Sequence, residues 1–423
     1  MMNNLKRVHG VHGVRTTRNI NGLHGVRTTR NLNGLHGVRT TRNLNGLHGV
    51  RTTRNINGLH GVHIARRVLS ILASAALLSS LAACGNQKSS SSSATTSSNQ
   101  TSATNKADDK NLTPMSFMLD WTPNTNHVGV YVAQKLGYYQ QAGLKLTILP
   151  TAQTGAETAV ESGVANVGFT TLSNVAAVNA SGSHLHFVYD LTQKQVARWC
   201  SLKARKDITS PKDFSGKTFV TFGSAEQTAV LKQMIRHDGG KPDFKTVTVG
   251  TSTFQTLTSG KGDFGGFYET WEGVQSRLDG PALNCFIAGD YGVPGNPDQL
   301  GFAVSSTWEK AHSKQVKAFV QATARGYQYA LKNPDKAASI LLEATRSSAL
   351  DPKLTKASMQ DIVAGKYWGD ASGKTDLTAA QQYINFLADN NVYRNIAQDA
   401  KVKDVDAAAH PQASTLATND YVA

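Results

Sequence analysis

The sequence predicts an α/β protein of two lobes, each built on a mixed sheet flanked by helices, with a ligand cleft between them. Three observations predict it. From Pro114 onward, short β-rich runs alternate with helical ones, the order that builds α/β units. The run Ser162-Gly-Val-Ala-Asn-Val-Gly168 recurs in outline as Ser259-Gly-Lys-Gly-Asp-Phe-Gly265, each time after a helix and before a short strand. Two dense polar and aromatic clusters, at 120–127 and 268–273, fall at predicted strand ends, where open α/β sheets bind ligands.

The 423 residues suffice for two domains with real cores, since a single core rarely grows beyond roughly 250 to 300 residues. The net charge of +15 misleads, because residues 1–67 carry twelve Lys and Arg and no acid, leaving 32 bases against 29 acids in the rest. The basic excess lies in a repeat of period twelve, starting at His12, His24, His36 and His48, each unit reading HGVRTTRN, then Ile or Leu, then NGL. Such units, without aromatic residues, bury too little apolar surface to offset chain entropy, so residues 1–62 are expected to be disordered. A regular basic array with Arg15, Arg18, Arg27 and Arg30 can touch nucleic acid or anionic lipid. Because a targeting signal follows, the segment is set aside and no nucleic-acid partner is expected.

Residues 63–84 place Arg66 and Arg67 before sixteen apolar or small residues and Cys84, too short a run for a comfortable membrane span and shaped as a secretory signal. The ending Leu81-Ala82-Ala83-Cys84 resembles the bacterial lipoprotein cleavage box, which makes Cys84 the expected lipidation site and the cell membrane, extracytoplasmic face, the expected location. Residues 85–111 form a Ser/Thr-rich linker without a packing face. Cys200 and Cys285 form either a disulfide or two buried thiols.

In the folded body, lobe one is expected over 112–200, lobe two over 201–301, and a return to lobe one with carboxyl-terminal helices over 302–423. A strand at 115–119 leads into the polar loop 120–127, then a helix at 128–136 stopped at Gly137, then a strand at 144–149. The segments 169–171, with Thr170, and 267–269 deliver strand ends to the cleft. Extended, alternating runs at 199–203 and 301–305 are the expected crossovers. Val316, Phe319, Val320, Thr323, Tyr327 and Ala330 mark a helix over 308–331, and Pro334 opens the next at its first turn. Helices near 354–364 and 378–390 are expected to pack back on lobe one.

Trp121 offers a flat face for stacking a ring, and the amides of Asn124 and Asn126 both donate and accept, which suits an aminopyrimidine edge. Equally, the Asp and Asn of this loop build turns and a helix cap before Val128. In the second cluster, a carboxylate such as Glu272 can accept from an exocyclic amine while Tyr268 or Trp271 closes over the ring. The alternative is an acid at a helix start and a core Trp. The turn Gly223-Ser-Ala-Glu226 opens a helix whose N–H groups could receive an anion, although Glu226 opposes one. Nucleophile-elbow, P-loop and metal-spacing motifs are missing, and His184 and His186 read as surface or core residues. No cofactor and no catalysis are expected.

The stretch LDWTPNTNHVGVYVAQKLGYY, residues 119–139, resembles the opening signature of the thiamine-pyrimidine-precursor binding family, which includes bacterial solute-binding proteins and fungal pyrimidine synthases. Weaker similarity runs over 113–345 through AVESGVANVGFTT, SPKDFSGK and FYETWEG. The resemblance implies a periplasmic-binding-protein-like fold, with Trp121, Asn124 and His127 as ligand contacts and Glu272, rather than Glu269, as the ligand-binding acid. It also implies a monomeric receptor that hands a pyrimidine or related heterocycle to the permease and ATPase of an ABC importer. The fungal synthases carry a cysteine-rich iron motif. With only Cys200 and Cys285 in its body, this chain does not inherit that activity.

Overall fold

The computed structural model describes residues 14–19, 27–33, 38–43, 51–57, 111–152 and 154–422. Residues up to Asn99 and residues from Gln100 onward form separate units. In the first unit, expected to be disordered, four strands pair in parallel, with Val14 opposite Val38 and Arg27 opposite Arg51. The correction has a simple cause: a strict twelve-residue period sets identical residues side by side, and the Thr-Thr pairs favour extended backbone. The signal segment 63–84 with Cys84, and the linker up to residue 110, lie outside the described residues.

Among the described residues, the second unit holds ten strands. They are Thr113–Met118 (β1), Leu144–Leu149 (β2), Val167–Thr171 (β3), Leu185–Asp190 (β4), Ala197–Leu202 (β5), Thr218–Thr221 (β6), Lys245–Thr248 (β7), Phe264–Tyr268 (β8), Leu283–Phe286 (β9) and Leu300–Ser305 (β10). One sheet has the order β2-β1-β3-β10-β4, the other β7-β6-β8-β5-β9. The two plans are the same. In each, the first strand sits between the second and third in parallel, and an antiparallel strand from across the molecule fills the fourth place.

The helices that matter below are Val128–Lys135 (α1), Gly155–Glu161 (α2), Leu172–Ala180 (α3), Glu226–His237 (α4), Thr253–Thr258 (α5), Val274–Asp279 (α6), Ser306–Lys332 (α7), Pro334–Ala344 (α8), Pro352–Gly365 (α9) and Leu377–Asp389 (α10). The sequence echo marks real equivalence, since α2 leads to β3 and α5 to β8, the central strand of each sheet. The expected crossovers are displaced. Residues 199–203 fall largely within β5 and 301–305 within β10, so the chain changes lobes at 191–196 and 287–299. An extended apolar run reads the same whether it crosses or pairs. The boundaries drawn at 200/201 and 301/302 therefore cut through strands. The Asp298 Oδ2 accepts the N–H groups of Val196 and Ala197 at 2.7 and 2.8 Å, so one carboxylate ties the two crossing segments together.

Each lobe has an aromatic core. Phe117, Phe169, Phe302 and Phe319 pack with centroids 5.4 to 6.3 Å apart in lobe one. Phe264 stacks on Phe214 at 4.0 Å and on Phe219 at 5.3 Å in lobe two. Cys200 and Cys285, opposite each other on β5 and β9, are joined as a disulfide with Cα atoms 4.1 Å apart, which decides the pair that the sequence left open. Helix α9 does not simply pack back on lobe one. Its Ser358 hydroxyl meets the Thr125 hydroxyl of lobe one at 2.6 Å and donates to the Thr270 carbonyl of lobe two, and its Asp361 pairs with Arg277 at 2.9 Å.

Two glycines set the crossing of α1 and α7. A Cβ on Gly326 would lie 2.0 Å from the Gly129 carbonyl oxygen, and one on Gly129 only 2.3 Å from the Tyr327 ring. This approach brings the Tyr327 hydroxyl to 2.6 Å from the Asn126 carbonyl, which it bonds as donor, anchoring the loop before α1. Gly326→Ala should therefore destabilise lobe one by about 2 kcal/mol or more, the usual range for overpacking, measured as a lower midpoint in denaturant unfolding.

Candidate ligand site between the lobes

A cavity of about 240 Å³ lies between the lobes and takes residues from both. Lobe one supplies the loop after β1, the end of β3 and the starts of α2 and α3. Lobe two supplies the residues after β6, the start of α4 and the end of β8. Strand ends and helix starts face the same space because parallel strands all point one way and the following helix returns from that edge.

The loop 120–127 is held from within. Asn124 Oδ1 accepts the Asn126 N–H at 2.8 Å, its Nδ2 donates to the Thr122 carbonyl, and its backbone N–H donates to His127 Nδ1 at 3.2 Å. An accepting Nδ1 leaves the proton on Nε2, which donates to Asp120 Oδ1 at 2.8 Å. His127 is fully buried, its ring edge-on to Phe169, and does not reach the cavity. The ligand contact expected of His127 is thus corrected: it braces the loop from beneath. Asn124 lines the cavity but spends its amide on the loop, so the capping alternative describes what its polar atoms do. Asn126 also lines the cavity, is 7% exposed, and among the described residues its side-chain amide has no hydrogen-bond partner.

Trp121 lines the cavity and meets Phe222 of lobe two edge-to-face at 6.0 Å, so rings from opposite lobes touch at its margin. Thr170 lines it too, with its hydroxyl committed to Glu157. In lobe two, β8 ends in a π-helical turn, Glu269–Gly273, before α6, and single π turns are frequent at functional sites. Tyr268, Trp271 and Glu272 all line the cavity. Glu272 Oε2 accepts the Tyr268 N–H at 3.1 Å, and burial pushes its pKa up. Glu269 instead pairs with Arg277 and, at 3.6 Å, with Arg198, outside the cavity lining. Six of the seven expected ligand residues therefore share one cavity, with Glu272 and not Glu269 among them.

The sequence reading missed a set of acids. Glu157, Glu226 and Asp298 line the cavity with Asp120 and Glu272, five carboxylates in all, and among the described residues no Lys or Arg lines it. Glu226 is half-buried, with Ser224 of its own lobe and Ser173 and Tyr383 of lobe one as polar neighbours. Burial pushes its carboxyl up to about 7, and pushes Asp298 up as well. Their one legible signal was position: Glu157 and Glu226 begin helices that follow strands. Asp298 and Tyr383 lie in irregular or late segments with no local pattern. His186 bonds Glu309 at 2.7 Å and His184 approaches Glu161 at 3.7 Å, both outside the cavity lining.

Two α/β lobes exchanging strands around one enclosed cavity define the periplasmic-binding-protein class of fold. An alkanesulfonate-binding protein from Xanthomonas axonopodis shares it, with a TM-score of 0.51 at 12% identity over 66% of this chain and 94% of that one. The chain belongs to the NMT1/THI5 like family, whose model matches residues 124–337. Among curated relatives, the formylaminopyrimidine-binding protein of Halalkalibacterium halodurans is 29% identical over 245 residues, 56% of this chain and 73% of the relative. The 4-amino-5-hydroxymethyl-2-methylpyrimidine phosphate synthase of Legionella pneumophila is 24% identical over 245 residues, 54% and 73%.

Two outcomes follow from this geometry. His127→Ala strips a partner from both Asp120 and the Asn124 N–H and leaves a hole beside Phe169, so unfolding free energy should fall by about 3 kcal/mol, read by denaturant titration. Glu226, with its folded pKa raised to about 7, binds a proton that the unfolded chain releases near pH 4.3. Stability should therefore decline as pH rises from about 4.5 to 7, and Glu226→Gln should remove about 2 kcal/mol of that decline in a series of melting curves.

Proposed function

We propose that this protein is the extracytoplasmic substrate-binding component of an ABC importer for a thiamine pyrimidine precursor, an aminopyrimidine of the hydroxymethyl or formylamino type. One observation carries the reading: an indole from lobe one, Trp121, and a half-buried acid from lobe two, Glu272, open onto the same small cavity. A flat ring stacks on Trp121, with Tyr268 and Trp271 closing over it from the other lobe. Glu272, one oxygen already bonded to the Tyr268 N–H, accepts from the exocyclic amine with the other and favours protonation of the adjacent ring nitrogen. Asn126 offers its unpartnered amide to the ring edge.

Size and charge separate this ligand from the alternatives. A cavity of about 240 Å³ stands at the low end of small-molecule sites, which run from roughly 300 to 1,000 Å³, and favours one ring over a flavin. Sulfonate, nitrate or a pyrimidine phosphate needs cationic or N–H donors, whereas this lining carries five carboxylates and, among the described residues, no Lys or Arg. The same charge argues for a receptor over a synthase that must hold a phosphate. The protein binds and releases; ligand affinity for the closed lobes shifts the population toward closure, and the closed form docks the permease. The lipoprotein box ending in Cys84 anchors it outside the cytoplasm as a monomer, and the Cys200–Cys285 disulfide suits an oxidising compartment.

Titration calorimetry with 4-amino-5-hydroxymethyl-2-methylpyrimidine and its formylamino counterpart tests the site. Glu272→Gln and Trp121→Ala should each weaken binding at least about tenfold, a loss of roughly 1.4 kcal/mol. Near-normal affinity in both variants refutes the assignment.

A further inference from the structure

The acids of the cavity exceed what a neutral aminopyrimidine requires. Glu272 alone can hold the ring edge, yet Glu226 and Asp298 line the same cavity, and the Tyr268 hydroxyl feels Asp298, Asp120, Glu226 and Glu272 together. The hydrogen-bond partners of three of these acids are neutral donors: His127 for Asp120, Thr170 and Asn174 for Glu157, and backbone N–H groups for Asp298. Arg198 donates to the Gln195 and Ala197 carbonyls and pairs with Glu269, while its charge still reaches Asp298. Both Asp298 backbone bonds go to Oδ2, and Asp298 is only 7% exposed, onto this cavity. Asn126, equally buried and lining the same cavity, adds an amide without a hydrogen-bond partner among the described residues. Asp298 feels the Arg198 charge, but among the described residues no Lys or Arg lines the cavity, so a cation brought by the ligand would lower the cost of holding buried Asp298 and half-buried Glu226 as carboxylates.

Building on the pyrimidine-receptor reading, we infer that Glu226 and Asp298 form a subsite for an ammonium on the arm of the ring, so that within the same pyrimidine class an aminomethyl arm is preferred to the neutral hydroxymethyl and formylamino arms. Glu272 and the indoles then read the ring, and the Glu226–Asp298 pair sets specificity among ring-bearing solutes. A neutral hydroxyl arm leaves the pair uncompensated. A phosphate arm meets repulsion from it.

The test is calorimetry on the full chain at pH 7.5 with three probes: 4-amino-5-hydroxymethyl-2-methylpyrimidine, its 5-aminomethyl counterpart, and the phosphate ester of the first. The aminomethyl probe should bind at least about tenfold tighter than the hydroxymethyl one, and the ester should fail to bind at millimolar concentration. Glu226→Gln, checked for folding by its melting curve, should shrink the tenfold preference to about threefold or less. Equal affinity for the two unphosphorylated probes, or tighter binding of the hydroxymethyl one, overturns the ammonium subsite while leaving the pyrimidine receptor standing. Binding of neither overturns both. A tenfold preference that survives in folded Glu226→Gln removes Glu226 from the subsite, and should that variant not fold, the wild-type ratio and the ester decide.

Discussion

The bond between Asp298 and the Val196 and Ala197 N–H groups holds the rest of the molecule in order. Each sheet takes its fourth strand from across the cleft, so the two passages between lobes must run side by side, and a single carboxylate fastens them. Such a group is expensive to bury, and two short N–H donors offset much of that expense. Its position has a second effect. The residue that joins the passages also faces the cavity, so one side chain belongs both to the crossing between the lobes and to the cavity lining.

The site follows one electrostatic rule. Away from the cavity, acids meet cations: Glu269 has Arg277, Asp207 has Arg205 and Lys217, Glu343 has Lys135. Around the cavity, acids meet hydroxyls, amides and backbone N–H groups. Neutral donors fix the geometry of a carboxylate without cancelling its field, so the negative potential stays available to a guest. The same sheet plan serves an alkanesulfonate-binding protein. Fold and charge preference are therefore separate matters, the first set by strand exchange and the second by which side chains end the strands.

Much of the architecture was legible because it rests on local periodicity. Strand β2 and helix α10 fall where alternation and 3.6-residue spacing put them, and the Ser-Gly echo before β3 and β8 disclosed the duplicated lobe plan. The Trp121 loop and the Glu272 turn were legible from composition and resemblance. His127 was not, because an imidazole beneath a loop and one facing a ligand have the same neighbours in sequence, and only its complete burial separates them. Glu226, Asp298 and Tyr383 escaped for another reason. They are brought together from α4, a crossing segment and α10, and no single window of sequence contains their proximity. The crossing points themselves slipped by several residues, since pairing partners, not intrinsic preference, decide where an extended run belongs.

Helix α9 changes what lobe movement can be. Through Ser358 it grips the Thr125 loop on one side and the Thr270 turn on the other, and its Asp361 holds Arg277. Separation of the lobes must therefore sacrifice one of these attachments before it gains any width. A strap fastened near both jaws sets a threshold on their separation, the cost of breaking one of these attachments.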